Sequence, residues 1–168
     1  VNLKKIRPRK LDSPLGTYSG AAVIYGASGG VAESALRTAY AQVTGKNPPK
    51  IEFASAVRGL EGIKKATFKI GGATLKVVSV NGTGNAKMIL EELKKNPKAY
   101  DVVEVMACPG GCIGGGGQPV PTSEAIREKR ARALYQIDSS KSLRLAHENP
   151  IVKKVYKEFL TSPEVIHG

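Results

Sequence analysis

The 168-residue chain is predicted to fold as an α/β domain with a mixed, mainly parallel sheet flanked by helices. Three observations carry that prediction. Apolar runs of strand length alternate with longer stretches in which apolar residues recur every three to four positions. Two β-rich runs are separated by Gly71-Gly72 alone, a hairpin signal that puts one antiparallel pair into the sheet. Hydrophobic residues make up 41% and charged residues 24%, the composition of a globular chain long enough for one core or one lobe of a larger domain.

The elements follow in order. Residues 1–20 read as an extended basic arm, with Lys4, Lys5, Arg7, Arg9 and Lys10 near its start. Residues 21–25, Ala-Ala-Val-Ile-Tyr, read as a short buried strand. The turn Gly26-Ala27-Ser28-Gly29-Gly30 leads into a helix with Val31, Ala35, Leu36, Ala39, Tyr40 and Val43 on one stripe. Ser28 is a candidate cap for it, and Gly45 with Pro48-Pro49 ends it. Strands are expected over 66–70 and 74–80, then a helix carrying Met88, Ile89, Leu90 and Leu93, stopped by Asn96-Pro97. Residues 101–106 form another strand, whose Val102, Val103 and Val105 suggest burial on both faces. Thr122 or Ser123 caps a basic helix to about Asp138, and a last helix runs from about Pro150 to Leu160. The expected organisation is an arm at 1–20, a lobe at 21–140 and a helical segment at 141–168.

Composition excludes several functions. No apolar run approaches the ~20 residues of a membrane helix. The start is basic without the apolar region of a secretory signal, and the missing initiator Met suggests processing or a longer parent chain. The net charge of +12 would ordinarily point to a polyanion. With no Trp and 5% aromatic residues there is little to stack on bases, so nucleic acid is not an expected partner. The basic residues around Arg127, Lys129, Arg130 and Arg132 are expected to form a solvated face or to face a partner.

Three motifs compete for the chemistry. Gly26-Ala27-Ser28-Gly29-Gly30 has the form of a nucleophile elbow, with Asp101, Asp138, His147 and His167 downstream, but no oxyanion loop accompanies it. A tight turn is the simpler reading. Gly82-Thr83-Gly84-Asn85-Ala86-Lys87 lies between a strand and a helix but lacks the third glycine of a dinucleotide fingerprint. The third motif is the densest feature of the chain: Cys108-Pro109-Gly110-Gly111-Cys112, then Ile113 and four glycines, at the end of a strand. Ligands of open α/β sheets bind at that edge. Thiolates suit iron–sulfur clusters, and glycines let backbone N–H groups come close to a bound group. These are the only two cysteines, so they are too few for a disulfide scaffold and make only half the ligands of a cubane.

The run Glu104-Val105-Met106-Ala107-Cys108-Pro109-Gly110-Gly111-Cys112, with Gly115-Gly116-Gly117-Gln118-Pro119, resembles the third signature motif of the iron-only (di-iron) hydrogenases. Residues 18–31 with Ala35-Leu36-Arg37, the pairs Asn81-Gly82 and Asn85-Ala86, and His147-Glu148-Asn149-Pro150 are similar to the same catalytic domain, so the likeness runs from about residue 13 to 160. The resemblance implies one lobe of a two-lobed catalytic domain that reversibly reduces protons to hydrogen. Its cofactor is an H-cluster, a 4Fe-4S cubane bridged by a cysteine sulfur to a di-iron unit with CO and CN ligands. Cys108 is then a cubane ligand and Cys112 the bridging ligand. Met106 packs beside the di-iron unit, Gly26 approaches the cyanides through backbone, and Gly116, Gly117 and Gln118 belong to the cofactor-binding loop. Tyr25 stands where the family usually has Phe lining the pocket, and Ala32 replaces a common Met. Ser28 is no nucleophile in this reading.

The family's first two signature motifs are not in this sequence. They supply two further cubane cysteines, a cyanide-contacting lysine and a proton-relay cysteine. The resemblance therefore implies a complementary lobe or subunit, together with an electron donor such as ferredoxin. The alternative is a non-catalytic redox sensor or iron–sulfur scaffold lobe. Two thiols that look like metal ligands, with no export signal, suggest a cytoplasmic, anaerobic setting.

Overall fold

A β-hairpin forms the spine of the fold in the computed structural model, which describes residues 2–7, 9, 10, 12 and 16–160. Strands β1 (Ile63–Ile70) and β2 (Ala73–Asn81) pair antiparallel, from Ile63↔Val80 to Ile70↔Ala73. Gly71 and Gly72 both take positive φ (56° and 86°), which sets the primed turn that matches strand twist. Alternation along the hairpin feeds two cores. Phe68, Ile70 and Val77 pack with Leu36, Ala54 and Val57 on one face, and Val78, Val80 and Ile89 cluster on the other.

Helix α1 is Gly20–Val23, and a 3-10 turn follows at Ile24–Gly26. Helix α2 (Gly30–Thr44) covers the first face of the sheet, and α3 (Thr83–Lys95) covers the second. From α3 the chain returns to β3 (Val102–Met106), which pairs parallel with β2. The sheet order is β1-β2-β3, so β3 is an edge strand among the described residues. Helix α4 (Glu124–Ser140) starts at Ser123, whose hydroxyl accepts from the Ile126 N–H. Helix α5 (Pro150–Glu158) starts at Asn149, which accepts from the Ile151 N–H at 2.9 Å.

The mixed sheet, the hairpin and helices α2 to α5 match the sequence expectation. The sheet holds one antiparallel and one parallel pair rather than a parallel majority, because residues 21–25 are helical and not a strand. The reason is local. Alanine is the best helix former, Gly20 and Ala21 donate to the carbonyls of Leu143 and Arg144, and Ala21 and Ile24 are buried three apart. The arm, read as extended, contains a 3-10 turn at Leu3–Lys5. Residues 161–168, with His167, lie outside the described residues.

The stripe expected on α2 is displaced. Val31 and Val43 are exposed, whereas Ala32, Glu33, Leu36 and Arg37 are buried. Two charged residues occupy the inner face because their partners are also inside. Arg37 lies between Glu33 (2.8 Å) and both oxygens of Asp138 (3.1 and 2.9 Å), and all three residues are fully buried. Arg58 closes on Glu33 (2.6 and 2.7 Å), while Arg144 joins Asp138 (2.7 Å) to Glu52 (2.5 Å). Three arginines against three carboxylates leave the cluster formally neutral, and it ties α2 to α4 and to the segments around residues 52, 58 and 144. Gly20 is glycine because a Cβ there would overlap the Asp138 carboxylate.

Strand β3 lacks the expected burial on both faces. Val103 and Val105 are 38% and 55% exposed, and the one buried side chain is Glu104 at 8%. As the edge strand, β3 lies beyond the cover of α3 on the valine side. What draws Glu104 inward is the site itself.

Candidate functional site

Glu104 points from β3 at the start of α2. Its carboxylate accepts the backbone N–H of Gly29 (2.5 Å) and of Ala32 (2.7 Å), and a hydroxyl hydrogen bond links it to Ser79 (3.2 Å). A helix leaves its first N–H groups without partners and carries positive potential there, so a buried carboxylate is stabilising at that end. Gly29, and not Ser28, occupies the cap position, with φ of 88° and no room for a Cβ against the Val57 carbonyl.

Ser28 is 1% exposed and looks inward, 3.2 Å from the Ser79 hydroxyl and accepting the Asn81 amide at 3.2 Å. Asp138 is held by arginines, and His147 sits between Thr38 (3.2 Å) and Asn47 (3.0 Å). No described histidine or aspartate bonds to Ser28, so the elbow has no base among the described residues. The turn at 82–87 opens α3 with no N-cap side-chain bond.

The cysteine loop leaves β3 after Met106 and is held from two sides. Asn81, 3% exposed at the end of β2, accepts the Gly110 N–H at 2.8 Å and donates to the Glu61 carbonyl at 2.8 Å. The Ser28 N–H donates to the Gly110 carbonyl at 3.0 Å. Gly110, the residue midway between the two cysteines, is thus bonded at both its N–H and its C=O. On the other side Arg130, from α4, donates to the carbonyls of Ile113 and Pro119, each at 2.8 Å. Ile113 packs into a small core with Ala27 and Ala131.

The glycines of the loop have separate reasons. Gly110 and Gly111 take φ of 80° and 95°, which side chains rarely adopt. A Cβ on Gly111 would come within 2.9 Å of the Gly26 carbonyl and the Met106 sulfur, and 2.7 Å of the Ser28 nitrogen. Gly26, Ser28, Met106 and Gly111 therefore meet at one point. At Gly115 a Cβ would sit 3.3 Å from the Cys108 sulfur, so its absence keeps that thiol clear. Gly116, Gly117 and Gln118 are exposed, and a Cβ on either glycine would meet nothing within 4 Å.

Cys108 is half-buried and Cys112 is exposed, at the start of a 3-10 turn (Cys112–Gly114). Among the described residues no group of three or more His, Cys, Asp or Glu could enclose a metal ion. Two soft thiols on a seated loop, one facing solvent, fit an iron–sulfur group for which the chain provides part of the donor set. Tyr25 is 43% exposed, and its hydroxyl lies 3.3 Å from Ser34. It also lines a cavity of about 360 Å³ with Tyr18, Ile151, Val155 and Tyr156.

Sequence reading missed Asn81, Glu104 and Arg130 as functional positions. The signal available was a polar residue in each of two apolar strands, and a helix whose basic residues are not all solvated. No described helix is long and apolar enough to cross a membrane.

Residues 1–116 match the iron only hydrogenase large subunit, C-terminal domain, and residues 124–166 match the iron hydrogenase small subunit. The chain is similar to the NADP-reducing hydrogenase subunit HndD of Solidesulfovibrio fructosivorans, 46% identical over 90% of this chain and 26% of that protein. It is similar to the periplasmic Fe hydrogenase large subunit of Nitratidesulfovibrio vulgaris, 48% identical over 89% of this chain and 35% of that one. A more distant relative is the cytosolic Fe-S cluster assembly factor narfl of Danio rerio, 26% identical over 96% of this chain and 40% of that protein. Among solved structures, a variant of the FeFe-hydrogenase HydA1 from Chlamydomonas reinhardtii superposes with a TM-score of 0.66 at 38% identity, covering 98% of this chain and 48% of that chain. The chain therefore spans about a quarter to a third of the two hydrogenase relatives and about half of that structure.

Proposed function

Because the chain belongs to the family of the iron-only hydrogenase large subunit, C-terminal domain, we propose that it is one lobe of a hydrogenase catalytic domain that reversibly reduces protons to molecular hydrogen. The observation that carries this reading is the seated loop: two thiols at the end of β3 on a backbone held by Asn81, Ser28 and Arg130. When bound, an H-cluster would supply the redox iron at which protons and electrons combine. The chain's own part is to hold, orient and shield it. Cys108 would ligate the cubane, and Cys112, the more exposed thiol, would bridge it to the di-iron unit. Met106 and the Gly26 turn would line the di-iron side. Gly116, Gly117 and Gln118 would border the cluster from the open stretch of the loop. Tyr25 would form the pocket wall, with its hydroxyl turned to Ser34.

Two thiolates cannot complete a cubane, so a complementary lobe or subunit supplies the remaining cysteines and the proton relay. An electron donor such as ferredoxin would meet the basic surface. We place the protein in the cytoplasm, where thiols stay reduced. One relative is periplasmic by name, so cell fractionation is the measurement that decides location.

The test is reconstitution with a partner carrying the missing cysteines, followed by hydrogen evolution and iron content. Cys112→Ala is expected to abolish evolution, and unchanged activity would remove the assignment. A second reading, an iron–sulfur scaffold or redox-sensing lobe, draws on the similarity to the cluster assembly factor. It predicts iron binding by the reconstituted pair with no hydrogen evolution in either direction.

A further inference from the structure

We infer that Asn81 is a positioning residue: it clamps the Gly110 peptide and so sets the disposition of the two thiols that flank it. The Asn81 side chain makes three hydrogen bonds, each to a different segment. Its carbonyl oxygen accepts the Gly110 N–H (2.8 Å), and its amide donates to the Glu61 carbonyl (2.8 Å) and to the Ser28 hydroxyl (3.2 Å). The two donor bonds aim the acceptor, because an amide whose NH₂ is committed cannot rotate without leaving buried groups unpaired. Ser28, placed by the same amide, donates its own N–H to the Gly110 carbonyl (3.0 Å).

The clamp falls where it has most leverage. Gly110 lies between Cys108 and Cys112, and Gly110 and Gly111 hold positive φ. Glycines lose more conformational freedom on ordering than any other residue, so Pro109-Gly110-Gly111 would wander without an external tie. Within the loop itself the Gly111 N–H to the Cys108 carbonyl (3.0 Å) and the Gly114 N–H to the Gly111 carbonyl (2.9 Å) oppose that, and neither engages Gly110. Asn81 sits opposite Met106 in the β2–β3 register, so the clamp is referenced to the strand from which the loop departs. Arg130 fixes the loop beyond Cys112 and does not reach Gly110. The inference rests on the hydrogenase reading only for its consequence at the cluster, since the clamp itself belongs to the metal-free chain.

The experiment measures alkylation of Cys108 and Cys112 by iodoacetamide in the metal-free chain, read site by site by mass spectrometry. In the wild type the half-buried Cys108 is expected to react more slowly than the exposed Cys112. Asn81→Ala is expected to raise the Cys108 rate relative to Cys112 about tenfold, the scale of losing a buried hydrogen-bond partner. Val78→Ala, destabilised by a cavity on the far side of the sheet, is expected to leave the ratio unchanged. An unchanged ratio in folded Asn81→Ala overturns the inference, as does an equal rise in Val78→Ala. Should Asn81→Ala not fold, amide hydrogen exchange in the wild type decides. The Gly110 N–H is expected to exchange at least about a hundredfold more slowly than a free glycine amide, and unprotected exchange overturns the clamp. No hydrogen is measured, so a failure here is distinct from a failure of the hydrogenase reading.

Discussion

Replacing Glu104 by Gln tests whether one buried carboxylate joins the sheet to the start of α2. The side chain is nearly isosteric, so packing is kept while one acceptor becomes a donor. In the native chain the two oxygens take the N–H groups of Gly29 and Ala32 at 2.5 and 2.7 Å. With Gln, one of those N–H groups faces an NH₂ and loses its acceptor, which costs about 1–3 kcal/mol for a buried group. The charge at the helix N-terminus is lost as well, about 0.5–2 kcal/mol in a buried setting. Together these give about 1.5–5 kcal/mol. For a chain of this size each kcal/mol moves Tm by roughly 2–4 °C, so the melting temperature is expected to fall by about 3–20 °C. Calorimetry at pH 7 on the metal-free chain measures it directly. A shift below about 2 °C would refute the claim that this carboxylate caps α2.

Three further expectations can be measured. Asp138→Ala leaves the fully buried Arg37 with Glu33 as its only carboxylate partner and takes a partner from Arg144, so a loss of about 3–5 kcal/mol is expected in urea unfolding. Gly111→Ala adds a methyl group against Met106 and the 26–28 turn at a positive φ, so iron incorporated on reconstitution should fall several-fold while the hairpin and its circular dichroism persist. The third concerns pH. Burial alone would raise the Asp138 carboxyl, but hydrogen bonds from Arg37 and Arg144 outweigh it and hold the group below its usual range. Glu52 is lowered in the same way by Arg144. Carboxylates depressed in the folded state contribute stability that is present above their unfolded pKa, near 4, and lost as pH falls through the folded value. Tm should therefore be flat from about pH 7 to 5 and drop below about pH 4, and an acid-insensitive Tm would count against the network.

Much of this protein is legible one-dimensionally. The Gly71-Gly72 hairpin follows from turn chemistry, and α3, α4 and α5 begin and end near the residues that cap or break them. The cysteine loop was visible because two thiols among clustered glycines have few other uses. Three features were not legible, each for the same kind of reason. Residues 21–25 read as a strand because five apolar residues carry no period of their own, and the carbonyls of Leu143 and Arg144 that receive the helix N–H groups lie more than 120 residues away. The inner face of α2 was misplaced because Glu33 and Arg37 look like solvent residues until Asp138 and Arg58 arrive. In β3 the expected burial on both faces fails at Val103 and Val105, and Glu104 is the residue inside because the N–H groups it accepts lie at a helix start some 75 residues earlier.

Sequence alone determined the fold class, the hairpin, the family resemblance and the pair of thiols, because each is written in local spacing or in a contiguous motif. Tertiary structure decided which polar groups are inside: Asn81 on Gly110, Glu104 on α2, Arg130 on the far side of the loop, and three arginines against three acids. Burying a polar group is costly unless a hydrogen-bond partner comes with it, and only the folded chain brings those partners together.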